Sequence, residues 1–338
     1  MIIELTQTSA SQVNQSLLKA RSQSGTSGLA FTMVVVTDST NYDKVLTACL
    51  EAAREHPSRI LVVVENARRN AARLDAEIRC ADGFPGDVVT LRVSGELVEH
   101  SGSIVLPLLL PDSPTVVWWP NESPVRPADD QIGALGTRRI TDASGDKDPL
   151  AALQVRADNL TPGDTDLTWT RLTPWRALLA ASLDQFPATI KSAVVEADRD
   201  NAPAELMAAW LEARLGVEVV RKDTEGPGIT GIRLATPAGD IEVLRGSSAT
   251  AAQYSVPGQP QRMVALKRRD INELITEELR RMDADGIFEQ SVQMLRTRSE
   301  RASRKAPVKK AAAKNNRAGK AAAGTSPART TDKRTGRN

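Results

Sequence analysis

The chain has 338 residues, 41% of them hydrophobic and 25% charged, a balance that supports packed cores and a length that suggests about two folded units. Two cysteines and two histidines are too few for a disulfide framework or a four-thiolate zinc site. The longest apolar run, 104–110, contains Pro107 and is too short to cross a bilayer; residues 1–5 lack the basic-then-apolar order of a secretion signal. The expectation is a cytoplasmic protein with no membrane contact, no metal and no cofactor.

The net charge of +2 conceals an uneven distribution. Twelve of the 44 basic and one of the 42 acidic side chains lie in 301–338, so this tail carries +11 and the rest of the chain −9. The Lys/Ala-rich tail, taken from 297 to 338, holds almost no large apolar side chain and cannot offset the entropy of ordering itself, so disorder is expected. Its charge suits a weak, nonspecific and salt-sensitive nucleic-acid contact, a solubilising role, or a loose return onto the acidic body.

Taken in order, 31–36 and 59–65 are continuous apolar runs of the kind buried on both faces of a sheet. Between them Tyr42, Val45, Leu46, Cys49 and Leu50 recur at helical spacing, which makes a βαβ unit. Further strands are expected at 77–80, 88–93, 115–119 and 138–140. Segment 120–162, rich in Pro, Asp and Gly, reads as a long connection with short helices, one of them over 150–157. A helix over 176–185 precedes an extended run at 189–196. Asn201 then opens a helix carrying Leu206, Met207, Trp210 and Leu211, ended by Gly216.

From there the period changes to two: Ile232 and Leu234, then Ile241 and Val243 across a turn at 236–239, then 249–256 and 263–266. This pattern predicts an antiparallel meander. Asp270 and Glu273 form a capping-box pair before another helix, and a last short helix covers 287–295. The fold class is α/β (α+β): an N-terminal α/β domain over 1–160 with a mixed or parallel sheet, and a C-terminal α+β domain over 161–296 with the meander and helices.

Chemical motifs are sparse. Gly226-Pro227-Gly228-Ile229-Thr230-Gly231 fits a dinucleotide-binding spacing, but a strand pattern follows where a helix is required, so it reads as a turn. Cys49 sits on the apolar stripe of its helix and Cys80 on the apolar face of its strand; both read as buried core thiols. His56-Pro57-Ser58-Arg59 reads as a helix end before a buried strand.

Four of the five tryptophans cluster at Trp118, Trp119, Trp169 and Trp175. Adjacent on a strand, Trp118 and Trp119 point to opposite faces; one enters the core, and the other finds solvent, another domain or a partner. Around Trp169, the residues Asp166, Arg171, Trp175 and Arg176 bring indoles and guanidinia together, the side chains that anchor protein interfaces. Packing in a core, with Asp166 pairing Arg171 or capping a turn, is the competing reading. Catalysis by Asp164 and Asp166 lacks a second carboxylate across a cleft.

The blocks at 56–60, 108–119 and above all Gly163-Asp164-Thr165-Asp166-Leu167-Thr168-Trp169-Thr170-Arg171-Leu172-Thr173-Pro174-Trp175-Arg176 resemble the OpcA family, the glucose-6-phosphate dehydrogenase assembly proteins. The resemblance covers roughly 1–296 and leaves out the tail. It implies a non-catalytic factor, not an enzyme, that binds glucose-6-phosphate dehydrogenase and promotes its active oligomeric state, supporting the oxidative pentose phosphate pathway and NADPH supply. The Trp and Arg concentration then makes Trp118, Trp119, Asp166, Trp169, Arg171, Trp175 and Arg176 the expected partner-binding residues.

Overall fold

The apolar runs near the start of the chain become the middle of an eight-stranded sheet. The computed structural model describes residues 1–24, 28–66, 71–80, 86–246 and 250–322. Its first elements are β1 (Ile2–Leu5), α1 (Ala10–Ser24), β2 (Phe31–Thr37), α2 (Tyr42–Glu55), β3 (Ser58–Asn66), β4 (Arg73–Arg79) and β5 (Asp87–Ser94). Then come α3 (Ser101–Val105), β6 (Thr115–Trp118), β7 (Arg138–Thr141), α4 (Pro149–Asp158) and β8 (Asp164–Asp166). The strand order is β1-β4-β5-β3-β2-β6-β7-β8. The run from β5 to β8 is parallel, and β4 and β1 add antiparallel at one edge. Progression from β2 through β3 to β5, followed by a return to β6 on the other side of β2, is the doubly wound plan.

Strand alternation sends neighbouring residues to separate cores. Met33, Val35, Ile60, Val62 and Trp118 pack under α2 and the later helix α8 (Ile271–Glu278). Val34, Leu61, Val63 and Trp119 pack on the opposite face with Val13 and Leu17 of α1. Both tryptophans are therefore enclosed within the fold: helices cover both faces of the sheet, so the second indole meets a second core.

The chain continues with α5 (Leu167–Arg171), α6 (Thr173–Gln185), β9 (Ser192–Ala197), α7 (Ala202–Leu215), β10 (Val219–Asp223), β11 (Ile229–Thr236), β12 (Gly239–Leu244), β13 (Ala251–Ser255) and β14 (Arg262–Ala265), and closes with α8 and α9 (Gly286–Ala322). The second sheet has the order β10-β9-β11-β12-β13-β14. Its meander is antiparallel as the alternation predicts: Ile232 faces Val243 and Leu234 faces Ile241, all four buried, while Arg233 on the other face binds Glu242 at 2.7 Å. At the other edge β9 and β10 are parallel around α7, a second βαβ unit that the pattern missed. In β10 only Val219 is buried, so this edge strand has no alternation to read.

A third core joins this sheet to α4, α6, α7 and the start of α9 through Trp169, Trp175, Leu206, Ile232, Phe288 and Val292. Met1–Leu295 form one compact unit. In the second unit, Arg296–Asn338, the backbone is helical through Ala322; Ala, Lys and Arg favour that state locally. The rest of the expected disordered tail, 323–338, lies outside the described residues.

Candidate functional site

The block singled out by its rare residues folds into two short helices packed inward. Asp166 ends β8 and caps α5: its carboxylate accepts the Thr168 N–H at 2.8 Å, the Ala143 N–H at 3.0 Å and the Thr141 hydroxyl at 2.6 Å. Trp169, Leu172, Trp175 and Leu179 fall on one helical stripe and are buried together, a three-to-four-residue spacing already present in the sequence. The Trp169 indole N–H donates to Asp285 at 2.7 Å, and the Arg176 guanidinium stacks 3.5 Å above the Trp169 ring. Burial pushes Arg176 down to about 10 despite the nearby Asp285 and Glu278 carboxylates. Asp285 also caps α9, accepting from the Ile287 and Phe288 N–H groups.

Arg171 pairs with a residue the sequence did not single out. Its two Nη groups donate to the two Asp142 oxygens at 2.6 and 2.8 Å, a fork-to-fork contact. Of the two roles expected of Asp166, pairing with Arg171 or capping a turn, it takes the second. Glu278, also missed, accepts from Arg138 and from the Thr170 hydroxyl, tying β7 and α5 to α8. These acids lie 29 to 140 residues from their partners in the chain, so no local motif marks them.

Of the seven expected contact residues, Trp118, Trp119, Asp166, Trp169 and Trp175 are each no more than 3% exposed. Arg171 and Arg176 are half-buried, Arg171 held on Asp142 and Arg176 stacked over the Trp169 ring. The structure brings Trp169, Arg171, Trp175 and Arg176 onto α5 and α6, while Trp118 and Trp119 belong to the two cores of the first sheet.

A dinucleotide fits the switch point of this sheet poorly. In a doubly wound sheet a dinucleotide lies where the strand order reverses, here at the carboxyl ends of β2 and β6, on a glycine-rich turn. The turn is Asp38-Ser39-Thr40-Asn41, and the Asp38 carboxylate itself accepts the Thr40 and Asn41 N–H groups at 2.7 and 2.9 Å. Burial would raise this carboxyl, but the Asn41 and Thr40 hydrogen bonds outweigh it and hold the group below its usual range. An acid thus fills the place a pyrophosphate would take, and these residues do not fit a dinucleotide. The glycine-containing run 226–231 leads into β11, the turn expected from its sequence. Among the described residues no group of three or more His, Cys, Asp or Glu is placed to hold a metal, and no described helix is long and apolar enough to cross a membrane.

Beside α5 and α6 lies a cleft of about 360 Å³. It opens at the carboxyl end of β9 and the start of α7, where Asn201 caps the helix by accepting the Ala204 N–H at 2.8 Å. Trp175, Leu172 and Ile229 supply apolar wall, and Arg171, Arg245, Lys267, Arg268 and Arg269 face it with Asp198 and Asp200. Arg245 is buried, stacks on Trp175 at 4.8 Å and donates to the Leu266 carbonyl at 2.8 Å.

The class defined by this arrangement is a two-sheet α/β protein whose indoles and guanidinia organise its own interior. Residues 50–158 match the family described as the glucose-6-phosphate dehydrogenase subunit N-terminal domain, and residues 162–292 match the corresponding C-terminal domain. The chain belongs to the OpcA family of glucose-6-phosphate dehydrogenase assembly proteins. It is similar to a putative OxPP cycle protein OpcA of Synechococcus elongatus, 32% identical over 152 residues, covering 41% of this chain and 34% of that protein. A Synechocystis protein of the same description is 30% identical over 38% of this chain and 29% of its own length. The chain matches about a third of the length of these curated relatives. Among solved structures, an aldose-aldose oxidoreductase from Caulobacter crescentus aligns at 11% identity and a TM-score of 0.46, covering 81% of this chain and 98% of that one. A 3-ketoreductase from Actinomadura kijaniata aligns at 12% identity and 0.41, covering 78% and 94%. A likeness at this level carries no argument for shared chemistry.

Proposed function

We propose that this chain is a non-catalytic factor of the oxidative pentose phosphate pathway that binds glucose-6-phosphate dehydrogenase and favours its active oligomeric state. The observation that carries the reading is the ordered pair of family matches over 50–158 and 162–292, both described by that enzyme's subunit. The Asp38-filled turn at the switch point supports a role other than dinucleotide chemistry. An activator of this kind acts by binding one state of the enzyme better than another.

The contact surface in this reading is the outer side of α5 and α6. Arg171 and Arg176 border it, and the buried Asp166, Trp169 and Trp175 hold α5 and α6 in place, while Trp118 and Trp119 remain in the cores of the first sheet. Exposed Ala177 lies on that side, so Ala177→Glu tests the surface without disturbing the core. In a titration of dehydrogenase activity, this variant should need at least about tenfold more protein for half-activation, with unchanged melting, because a larger side chain of opposite sign to the bordering guanidinia is placed inside the contact. Activation identical to the parent chain would remove α6 from the contact.

A further inference from the structure

The cleft beside α7 has a charge problem that the fold itself leaves unsolved. Arg245 is 92% buried by area (8% exposed), and its Nε has no hydrogen-bond partner. Among the described residues no carboxylate pairs with it, and the hydrogen bond its guanidinium makes goes to a carbonyl. Burial, and after it the charge of the adjacent Arg268, lower its proton affinity to about 10. A buried guanidinium without a counter-charge is costly unless something anionic joins it.

Its surroundings compound the excess. Arg268 donates to the Pro227 carbonyl and Arg269 to the Thr170 carbonyl at 2.7 Å, each again choosing a neutral acceptor; the nearest carboxylate to Arg269 is Glu277 at 3.9 Å. Only Lys267, with Glu273 at 2.8 Å, and Arg171, with Asp142, are closely paired. The positive end of the 14-residue helix α7 points the same way. Two carboxylates, Asp198 and Asp200, stand across the cleft, and Asp198 is engaged by the Asn201 amide at 3.0 Å. Cations outnumber acids, forked donors predominate, and the volume lies at the small end for ligand pockets. That combination matches a compact dianion carried on a small polar molecule.

We propose that this cleft binds the phosphate group of a small phosphomonoester, gripped by Arg245 and Arg268 with Lys267 and Arg269 at its rim. Asp198 and Asp200 are placed to accept hydrogen bonds from hydroxyls on the rest of the ligand. Because the cleft shares Trp175 and Arg171 with α5 and α6, occupancy would stiffen the same helices. The proposal stands independently of the dehydrogenase reading, and its test contains no dehydrogenase.

The test is calorimetry and thermal melting of the full chain with inorganic phosphate, glycerol phosphate and a hexose phosphate, at ionic strength held constant with sodium chloride. Saturable binding is expected for all three, tighter for the esters than for free phosphate. Arg268→Ala and Lys267→Ala, both at accessible positions, should each weaken it, Arg268→Ala by about tenfold or more, the value of a lost hydrogen bond to a charged group. Arg245→Gln should abolish it; the two accessible variants keep the question decidable if that protein folds poorly. Arg199→Ala, an exposed arginine paired with Asp223, should bind as the parent does. Phosphate acting no differently from chloride, or raising the melting temperature equally in Arg268→Ala, Lys267→Ala and the parent, would overturn the proposal.

Discussion

Asp285 shows how a single side chain carries structure across the molecule. One carboxylate accepts the Trp169 indole N–H, 116 residues away in sequence, and the first N–H groups of α9. Burial works to raise its proton affinity, but these hydrogen bonds and the Arg176 charge outweigh it, and the group sits below the usual carboxylate range. A carboxyl with a lowered folded pKa stabilises above its unfolded pKa, about 4, and that contribution is lost as pH falls through the folded value. Chemical denaturation should therefore show Asp285→Asn less stable than the parent at neutral pH, with the gap closing below about pH 4. A gap independent of pH would mean that the charge does not matter. The two thiols form a second case. Burial pushes Cys49 far up, and burial together with Asp87 raises Cys80 to about 11, so neither is a thiolate at neutral pH. A thiol reagent should label them only as fast as the protein unfolds; rapid labelling of the native chain would contradict their burial.

Among the elements, the ones most easily read were those whose burial repeats at a fixed period. β2, β3 and the β11–β12 pair were legible because whole faces, or both faces, are apolar. β10 was not, since an edge strand buries one residue and leaves charges outside. Helices α5 and α6 carried a readable stripe at Trp169, Leu172, Trp175 and Leu179, obscured by the polar residues between. The acids that complete the site, Asp142, Glu278 and Asp285, lay beyond reach because only the fold brings them near their arginines and indoles. The run Lys267-Arg268-Arg269, between β14 and a capped helix, was the available signal for the cationic cleft. Glu278 is the test of how these elements interlock. Its partner Arg138 is 4% exposed, so Glu278→Ala strands a buried charge and should cost about 3–5 kcal/mol of unfolding free energy in urea titration. A loss under about 1 kcal/mol would place the junction of β7, α5 and α8 among weak surface pairs.

Over the whole molecule, the dense Trp and Arg content first suggested an adhesive surface, and the fold turns most of it inward. The indoles complete three cores, and the two proposed contacts, on α5 and α6 and in the cationic cleft, rest on the guanidinia instead. Truncating the buried ring in Trp169→Ala should accordingly lower stability by about 3–5 kcal/mol, whereas Ala177→Glu should alter activation alone. The family matches cover 50–158 and 162–292 and stop before the tail, so removal of 301–338 should leave melting of the body unchanged and test whether the +11 tail adds salt-sensitive affinity. The most direct measurement of the central claim is sedimentation of the purified chain mixed with glucose-6-phosphate dehydrogenase, with specific activity read from the same samples. Co-sedimentation as a larger species with raised activity is the expected result; two independent boundaries and unchanged kinetics at saturating concentration would contradict it.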